Sequence, residues 1–234
     1  MTTKRKWRRK IIRVRTLADV CDDPPKRLGL RTFRDEGFFQ HHAGDIMHVM
    51  SLWTRIDVEV QRLLLPLMTA EHSLVARMIS STRNSDAAIR AAARERLAPD
   101  RLELVTKLLG DIQRIRSRRN VYAHWVAAYS NAPGVADKVL FIDPSHLAAV
   151  HADVHADPAS TWVDEQFPET DPRFVLVYDE SDFAEDRHMA ASALAALRLL
   201  RAYLSEPPGT EIPEALSRQQ RSLEILEFPP HSKV

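Results

Sequence analysis

Apolar residues recur every three or four positions over several long stretches of the chain, and this spacing predicts amphipathic helices. In the first stretch Asp45 is a suitable N-cap, and Pro66 is expected to end or kink the helix. We predict further helices at 69–79, from about residue 85 to Pro99, and over about 100–129. The apolar positions of the first stretch are Met50, Trp53, Ile56, Val60, Leu63 and Leu64.

Two short runs rich in β-branched and aromatic residues, 138–142 and 173–178, interrupt this helical pattern. They predict two strands that pair as an antiparallel hairpin. A last long helix is expected to begin near Ser181 or Asp182, because Asp182 and Glu185 have the spacing of a capping box. Its apolar stripe consists of Phe183, Ala190, Leu194, Leu197, Leu200 and Leu204.

The pattern therefore predicts a mainly α fold: a four- to five-helix bundle with a small β-hairpin insertion before the last long helix. We expect a basic, partly irregular N-terminal arm at 1–43 and a helical domain at 44–206. That domain contains an acidic insertion at 130–181. We expect a C-terminal tail at 207–234, with a short helix within 212–226.

Charge is distributed unevenly along the chain, although the formal net charge is only +1. Residues 1–15 include eight basic side chains and no acidic one, whereas 130–189 hold thirteen acidic residues against three basic ones. A basic arm of this kind either contacts nucleic acid or is a solvated tail. The acidic insertion is a candidate surface for a protein partner.

Several classes of protein are disfavoured by composition. The single cysteine, Cys21, excludes an internal disulfide and a zinc site built from thiolates. Apolar runs are too short to span a membrane, and no secretory signal is recognisable, so we expect a cytoplasmic protein. Histidines cluster at 41–48 and 146–155, where they either bind a metal or lie in a helix start and a solvated turn. Neither cluster has a metalloenzyme spacing, and we predict no metal and no cofactor.

The fourth predicted helix contains the residues with the clearest chemical potential. Its apolar stripe of Val105, Leu108, Ile112 and Ile115, extended at the same spacing, reaches Arg119 and Tyr122. A buried guanidinium is costly unless it is paired or faces a ligand. Asn120 and His124 are four residues apart and share a face. Arg119 and His124 are five apart, which is about 140° around an ideal helix.

Metal-free cleavage of RNA needs a base, an acid and a cation, and these residue types can supply them. Histidine titrates near neutral pH and can serve as base or acid. The planar guanidinium of an arginine matches the oxygens of a phosphate, and an asparagine can orient either group. Each copy of the set offers one histidine, so a two-fold dimer would supply the second.

The segment Arg119-Asn120-Val121-Tyr122-Ala123-His124 resembles the signature of HEPN domains (higher eukaryotes and prokaryotes nucleotide-binding), in which four to six residues separate an arginine from a histidine. The resemblance covers roughly 45–205, mostly as architecture. It implies a helical bundle whose paired motifs form a metal-independent endoribonuclease site across a homodimer. Other members of that family are inactive, act as antitoxin partners, or serve as binding modules.

The resemblance implies an endoribonuclease associated with a toxin–antitoxin or defence system. Arg119, Asn120 and His124 are its candidate catalytic residues, and Arg116, Arg118 and Tyr122 are its candidate RNA-binding residues. Trp125 either stacks on a base or packs in the core. One alternative is a non-catalytic helical module that binds a protein partner. Another is nucleic-acid binding through the arm at 1–15.

Overall fold

The chain is mainly helical, as its apolar periodicity predicts. The computed structural model describes residues 10–11, 15–26, 28–30, 36–68, 82–146, 169–224 and 226–227. The helices that lie wholly within these ranges are α1 (Leu17–Val20), α2 (Glu36–Arg62), α3 (Leu64–Leu67), α4 (Thr82–Arg96), α5 (Pro99–His124), α6 (Glu180–Leu204) and α7 (Glu214–Glu224). A 3₁₀ turn covers Pro172–Phe174.

The predicted hairpin is present and lies within a larger antiparallel sheet. The strands are β1 (Lys10–Ile11), β2 (Arg15–Thr16), β3 (Gly29–Leu30), β4 (Val126–Tyr129), β5 (Val139–Ile142), β6 (Val175–Tyr178) and β7 (Leu226–Glu227). Five of them form the order β2-β6-β5-β4-β3, with every neighbouring pair antiparallel. β5 and β6 pair with Val139 opposite Tyr178, while β1 and β7 form a separate parallel pair.

Both faces of the sheet are covered, which explains why β5 and β6 are continuous apolar runs rather than alternating ones. Leu140 and Val177 point into a cluster that also contains Leu17 and Leu28. Phe141 and Tyr178, one position along each strand, point into the opposite cluster. Because successive side chains of a strand face opposite sides, β5 and β6 each contribute two residues to each cluster.

The chain divides into two compact units. The first consists of Met1–Ile12, Ser51–Ser117 and Arg187–Val234, and the second of Arg13–Met50 and Arg118–Asp186. The five-stranded sheet belongs to the second unit, whereas α3, α4 and α7 belong to the first. Three of the four boundaries between the units fall inside α2, α5 and α6, and the fourth lies between Ile12 and Arg13.

Most predicted core positions are buried. The apolar stripe of α6 is at most 6% exposed along its whole length, from Phe183 to Leu204. The stripe of the first helical stretch is equally buried from Trp53 to Leu64, while Met50 is partly exposed. No helix within the described ranges is long and apolar enough to cross a bilayer.

Two predicted helix boundaries are wrong. α2 begins at Glu36 rather than after Asp45, so Asp45 lies in the helix and 36–43 are not irregular. His42 and Val49, seven residues apart, are both buried, so the packed face of α2 extends into the histidine-rich segment. α5 ends at His124 and not near residue 129, because Val126–Ala128 pairs with β5.

The break at Pro66 is confirmed. α2 ends at Arg62, whose carbonyl would accept a hydrogen bond from residue 66 in a continuous helix, and proline has no N–H to give. α4 begins at Thr82, slightly earlier than predicted, and ends at Arg96. α7 lies in the segment where a short helix was expected. The helix predicted at 69–79 falls outside the described residues.

Candidate functional site

The three candidate catalytic residues lie in the last two turns of α5. Asn120 and His124 are exposed, and Arg119 is partly exposed. Within the described ranges, none of the three side chains forms a hydrogen bond or an ion pair. The helix stays regular to its end, where the Trp125 amide donates to the Val121 carbonyl at 3.0 Å. Asn120 and His124 therefore share one face of α5, with Arg119 displaced around the axis.

The arginine in phase with the buried face is Arg118 and not Arg119. Arg118 is 4% exposed, and its Nε lies 2.5 Å from Oδ1 of Asp186, which is 2% exposed. The contact is an ion pair whose atoms are not aligned as a hydrogen bond. Buried positions along α5 run through Leu108, Asp111, Ile115 and Arg118, with alternating steps of three and four. The predicted step of four from Ile115 to Arg119 is therefore wrong by one residue.

Tyr122 completes a buried group with Arg118, Tyr178 and Asp186, which we call the Arg118 network. The Tyr122 hydroxyl donates a hydrogen bond to Oδ2 of Asp186. The guanidinium carbon of Arg118 lies 5.6 Å from the centre of the Tyr178 ring, within range of a cation–π contact. The two rings meet edge to face at 5.6 Å. The network therefore ties the end of α5 to β6 and to the start of α6.

Burial and charge act in opposite directions on the ionisable groups of this network. Burial by itself lowers the pKa of Arg118, but Tyr178 and the Asp186 carboxylate raise it above its ordinary value. Burial raises the pKa of Asp186, and the Arg118 cation and the Tyr122 hydroxyl oppose that rise. Burial and the Asp186 charge also raise the pKa of Tyr122, so its hydroxyl stays protonated and acts as a donor.

The candidate RNA-binding residues have partners inside the protein. Arg118 faces the interior, and the Tyr122 hydroxyl is bound to Asp186, so we do not include either in the RNA contact surface. Arg116, in the first unit, donates to Asp57 at 3.0 Å and lies 4.0 Å from Asp86. Its guanidinium is thus held in an ion-pair network of its own.

Trp125 is partly buried and packs against the core. It lies against the cluster formed by Val121, Phe141 and Tyr178, as the packing alternative predicts. Tyr122 contacts the same cluster, with its ring 5.7 Å from that of Phe141. Tyr122 and Trp125 thus pack against one cluster, while His124 between them faces solvent.

His42 and His146, one from each histidine cluster, each pack against an aromatic ring. His42 is buried with its ring 5.5 Å from that of Phe183. His146 stacks on Phe174 at 4.6 Å, and its Nε2 accepts a hydrogen bond from the Asp171 amide. No group of three potential metal ligands occurs within the described part of the chain. His151 and His155 lie outside it.

Sequence reasoning missed Asp186, although the chain carries a signal for it. Asp186 lies midway between Phe183 and Ala190, in phase with the apolar stripe of α6. An acid on such a stripe predicts a buried carboxylate, and a buried carboxylate needs a cation. Arg118 holds the corresponding position on α5.

Comparisons of the chain with protein-family models, with curated proteins and with solved structures gave no match. Its function therefore has to be inferred from its own residues.

Proposed function

We propose that the protein is a cytoplasmic, metal-independent endoribonuclease of HEPN-like type that acts in a toxin–antitoxin or defence system. The observation that carries the proposal is the contrast at the end of α5. Arg118 and Tyr122 are held by buried partners, while Arg119, Asn120 and His124 face outward and are unengaged within the described ranges. A rigid support with exposed polar groups is what a catalytic constellation requires.

In the proposed reaction the 2′-hydroxyl of the substrate attacks the adjacent phosphorus. His124 takes the proton of that hydroxyl, and a new bond forms between the 2′-oxygen and phosphorus. The bond from phosphorus to the 5′-oxygen breaks, and the leaving oxygen receives a proton from a second acid. Arg119 donates to the non-bridging oxygens, where charge builds up. The products are a cyclic 2′,3′-phosphate and a free 5′-hydroxyl.

A second copy of the chain supplies the second acid. One helix directs Arg119 and His124 about 140° apart, so one copy does not aim both at a single phosphate. Two copies related by a two-fold axis bring two histidines and two arginines to a shared cleft. Asn120, four residues before His124, then orients the imidazole or a phosphate oxygen.

The test is RNA cleavage in EDTA by the parent protein, His124→Ala and Arg119→Ala. Loss of a proton-transfer group should lower the cleavage rate at least about 10²-fold. His188→Ala removes another exposed histidine and is the matched control. If His124→Ala cleaves as fast as the control, the site is not at this motif. Product analysis should find the cyclic phosphate.

The second candidate function is a non-catalytic helical module that binds a protein partner. It is favoured by the structural engagement of Arg118, Tyr122 and Arg116, three of the six residues named from the motif and its surroundings. A folded dimer that cleaves none of a varied set of RNAs in EDTA would select this function over the enzyme.

A further inference from the structure

A buried carboxylate in the first unit is surrounded by more positive charge than it can neutralise. Glu59, on α2, has only 4% of its side chain exposed. Arg62 Nη1 donates to its Oε1 at 3.0 Å, and Arg201 Nε donates to its Oε2 at 3.2 Å. Arg198 Nε lies 3.7 Å from Oε1. Three guanidiniums therefore share one carboxylate, and we call these four residues the Glu59 cluster.

The charge excess of this cluster is not removed by its immediate neighbours along the chain. α6 carries no acidic residue between Arg187 and Leu204. The other acid on this part of α2, Asp57, is engaged by Arg116 at 3.0 Å. Burying Glu59 needs about one compensating cation, whereas three like charges at close range repel each other. Two positive charges are thus left for an anion from outside.

The arginines also present suitable donors to solvent. Their side chains are 53%, 48% and 37% exposed for Arg62, Arg198 and Arg201. Arg198 and Arg201 approach Glu59 through Nε, which leaves the paired Nη groups of each for another acceptor. Within the described chain these Nη groups have no acceptor. Two Nη donors on one plane match two oxygens of a phosphate.

We infer that the Glu59 cluster is an anion site whose arginines bind the phosphodiester backbone of RNA, in competition with the Glu59 carboxylate. The choice of RNA as the source of phosphate rests on the proposed function. The binding of a phosphate by these arginines does not depend on the proposed function, because it needs neither His124 nor Arg119. The site holds backbone without reading bases, since phosphate contacts carry no sequence information directly.

The experiment measures binding of the full chain to labelled, single-stranded 2′-O-methyl RNA by fluorescence anisotropy over a series of salt concentrations. This RNA has no free 2′-hydroxyl, so binding is read without cleavage. Arg198→Gln/Arg201→Gln should weaken binding and reduce the slope of log K against log salt by about 1.4, or about 0.7 for each lost contact on a single strand. The control, Arg218→Gln/Arg221→Gln on α7, removes the same charge elsewhere and should leave the slope unchanged.

Two further variants separate binding from folding. Arg198→Gln alone removes the arginine farthest from Glu59 and should lower the slope by about 0.7 while leaving the melting temperature nearly unchanged. Glu59→Gln keeps all three arginines and removes the competing carboxylate, so RNA should bind more tightly. A purely structural cluster predicts weaker or unchanged binding for Glu59→Gln instead, and that result would overturn the inference.

The outcomes also separate this inference from the proposed function. Normal cleavage with unaltered slopes in the arginine variants refutes the anion site and leaves the ribonuclease standing. Absence of cleavage together with the expected slope changes refutes the ribonuclease and leaves the anion site standing. Polyglutamate that competes as well as unlabelled RNA of equal charge would overturn the phosphodiester assignment in favour of an acidic protein partner.

Discussion

Arg118 and Arg119 are consecutive residues of one helix, and a rotation of about 100° gives them opposite surroundings. Arg118 meets Asp186 in the interior, where the two charges compensate each other. Arg119 meets solvent and no acidic side chain among those described. A guanidinium without an internal partner is available to an external anion, whereas a buried and paired one supports the fold.

The Arg118 network should be a strong determinant of stability. Replacing Arg118 with methionine leaves the Asp186 carboxylate buried without a counter-charge, so the free energy of unfolding should fall by about 3–5 kcal/mol. Adding Asp186→Asn removes that charge and keeps an acceptor for Tyr122. The double variant should therefore be more stable than Arg118→Met alone, as measured by urea unfolding at neutral pH.

The exposed ion pair of Arg173 with Asp171 provides the control for this comparison. Arg173 is 76% exposed, so Arg173→Met should leave the unfolding midpoint nearly unchanged. If the effects of Arg118→Met and Asp186→Asn simply add, the two residues are not coupled and the assigned ion pair is wrong.

At this scale the sequence predicts that an arginine of α5 is buried but not which one. The spacing of α5 allows a step of three or four after Ile115, and the choice decides which arginine is buried. Only a partner on another element resolves it. Asp186, the partner of Arg118, lies 68 positions after Arg118 in the chain, so periodicity within α5 alone contains no information about it.

The start of α6 shows how an element is fixed by its cap and by a distant cation. Asp179 Oδ1 accepts hydrogen bonds from the Ser181 and Asp182 amides at 2.9 and 3.3 Å. Asp182 Oδ2 accepts one from the Asp179 amide at 2.9 Å, which completes a capping box. The predicted box of Asp182 and Glu185 is thus displaced by three residues. Arg15, on β2, donates to both carboxylates, at 2.7 and 2.6 Å.

Asp179 should make stability depend on pH. Burial raises its pKa, but hydrogen bonds from Arg15 and Ser181 outweigh burial and hold the pKa well below its ordinary value. A lowered native pKa adds stability above the unfolded value of about 3.9, and that stability is lost as the pH falls through the native pKa. Asp179→Asn should therefore lower the free energy of unfolding at pH 7, with a penalty that narrows below about pH 3.9.

Two variants check the origin of that effect. Asparagine caps helices about as well as aspartate, so Asp179→Ala should cost about 1 kcal/mol more than Asp179→Asn at every pH. Glu214→Gln alters an acid of α7 that is 82% exposed and should show no comparable pH dependence. A penalty for Asp179→Asn that stays constant from pH 7 to pH 3 would contradict the charge contribution.

Element types followed from the sequence more reliably than element ends. The strands β5 and β6 were found because apolar runs of four residues between turn signals are distinctive. The end of α5 was missed because Val126 and Tyr129 suit a helix stripe as well as a strand. Pairing within the sheet makes this segment a strand, since Val126–Ala128 pairs with Leu140–Ile142. The start of α2 was missed because Gly37 and Gly44 disfavour a helix that packing nevertheless stabilises.

At the scale of the whole molecule, the apolar pattern of the sequence does not predict which distant segments pair as strands. β2 and β3 each contain two residues, too few to show a period of two. Yet β2 pairs with β6 more than 150 positions away, as Arg15 lies opposite Val177. The five-stranded sheet of the second unit therefore could not be deduced from the predicted hairpin alone.

The proposed reaction requires a dimer, because it uses two histidines and the motif of each chain contributes one. The protein should be a dimer by light scattering, and its cleavage rate per chain should fall on dilution together with the dimer fraction. Excess His124→Ala, equilibrated with a fixed amount of parent, should suppress cleavage by forming mixed dimers with one histidine. Excess His188→Ala should instead add activity. Cleavage that is proportional to parent concentration and insensitive to His124→Ala would mean that one chain contains the whole site, which the 140° separation of Arg119 and His124 on α5 argues against.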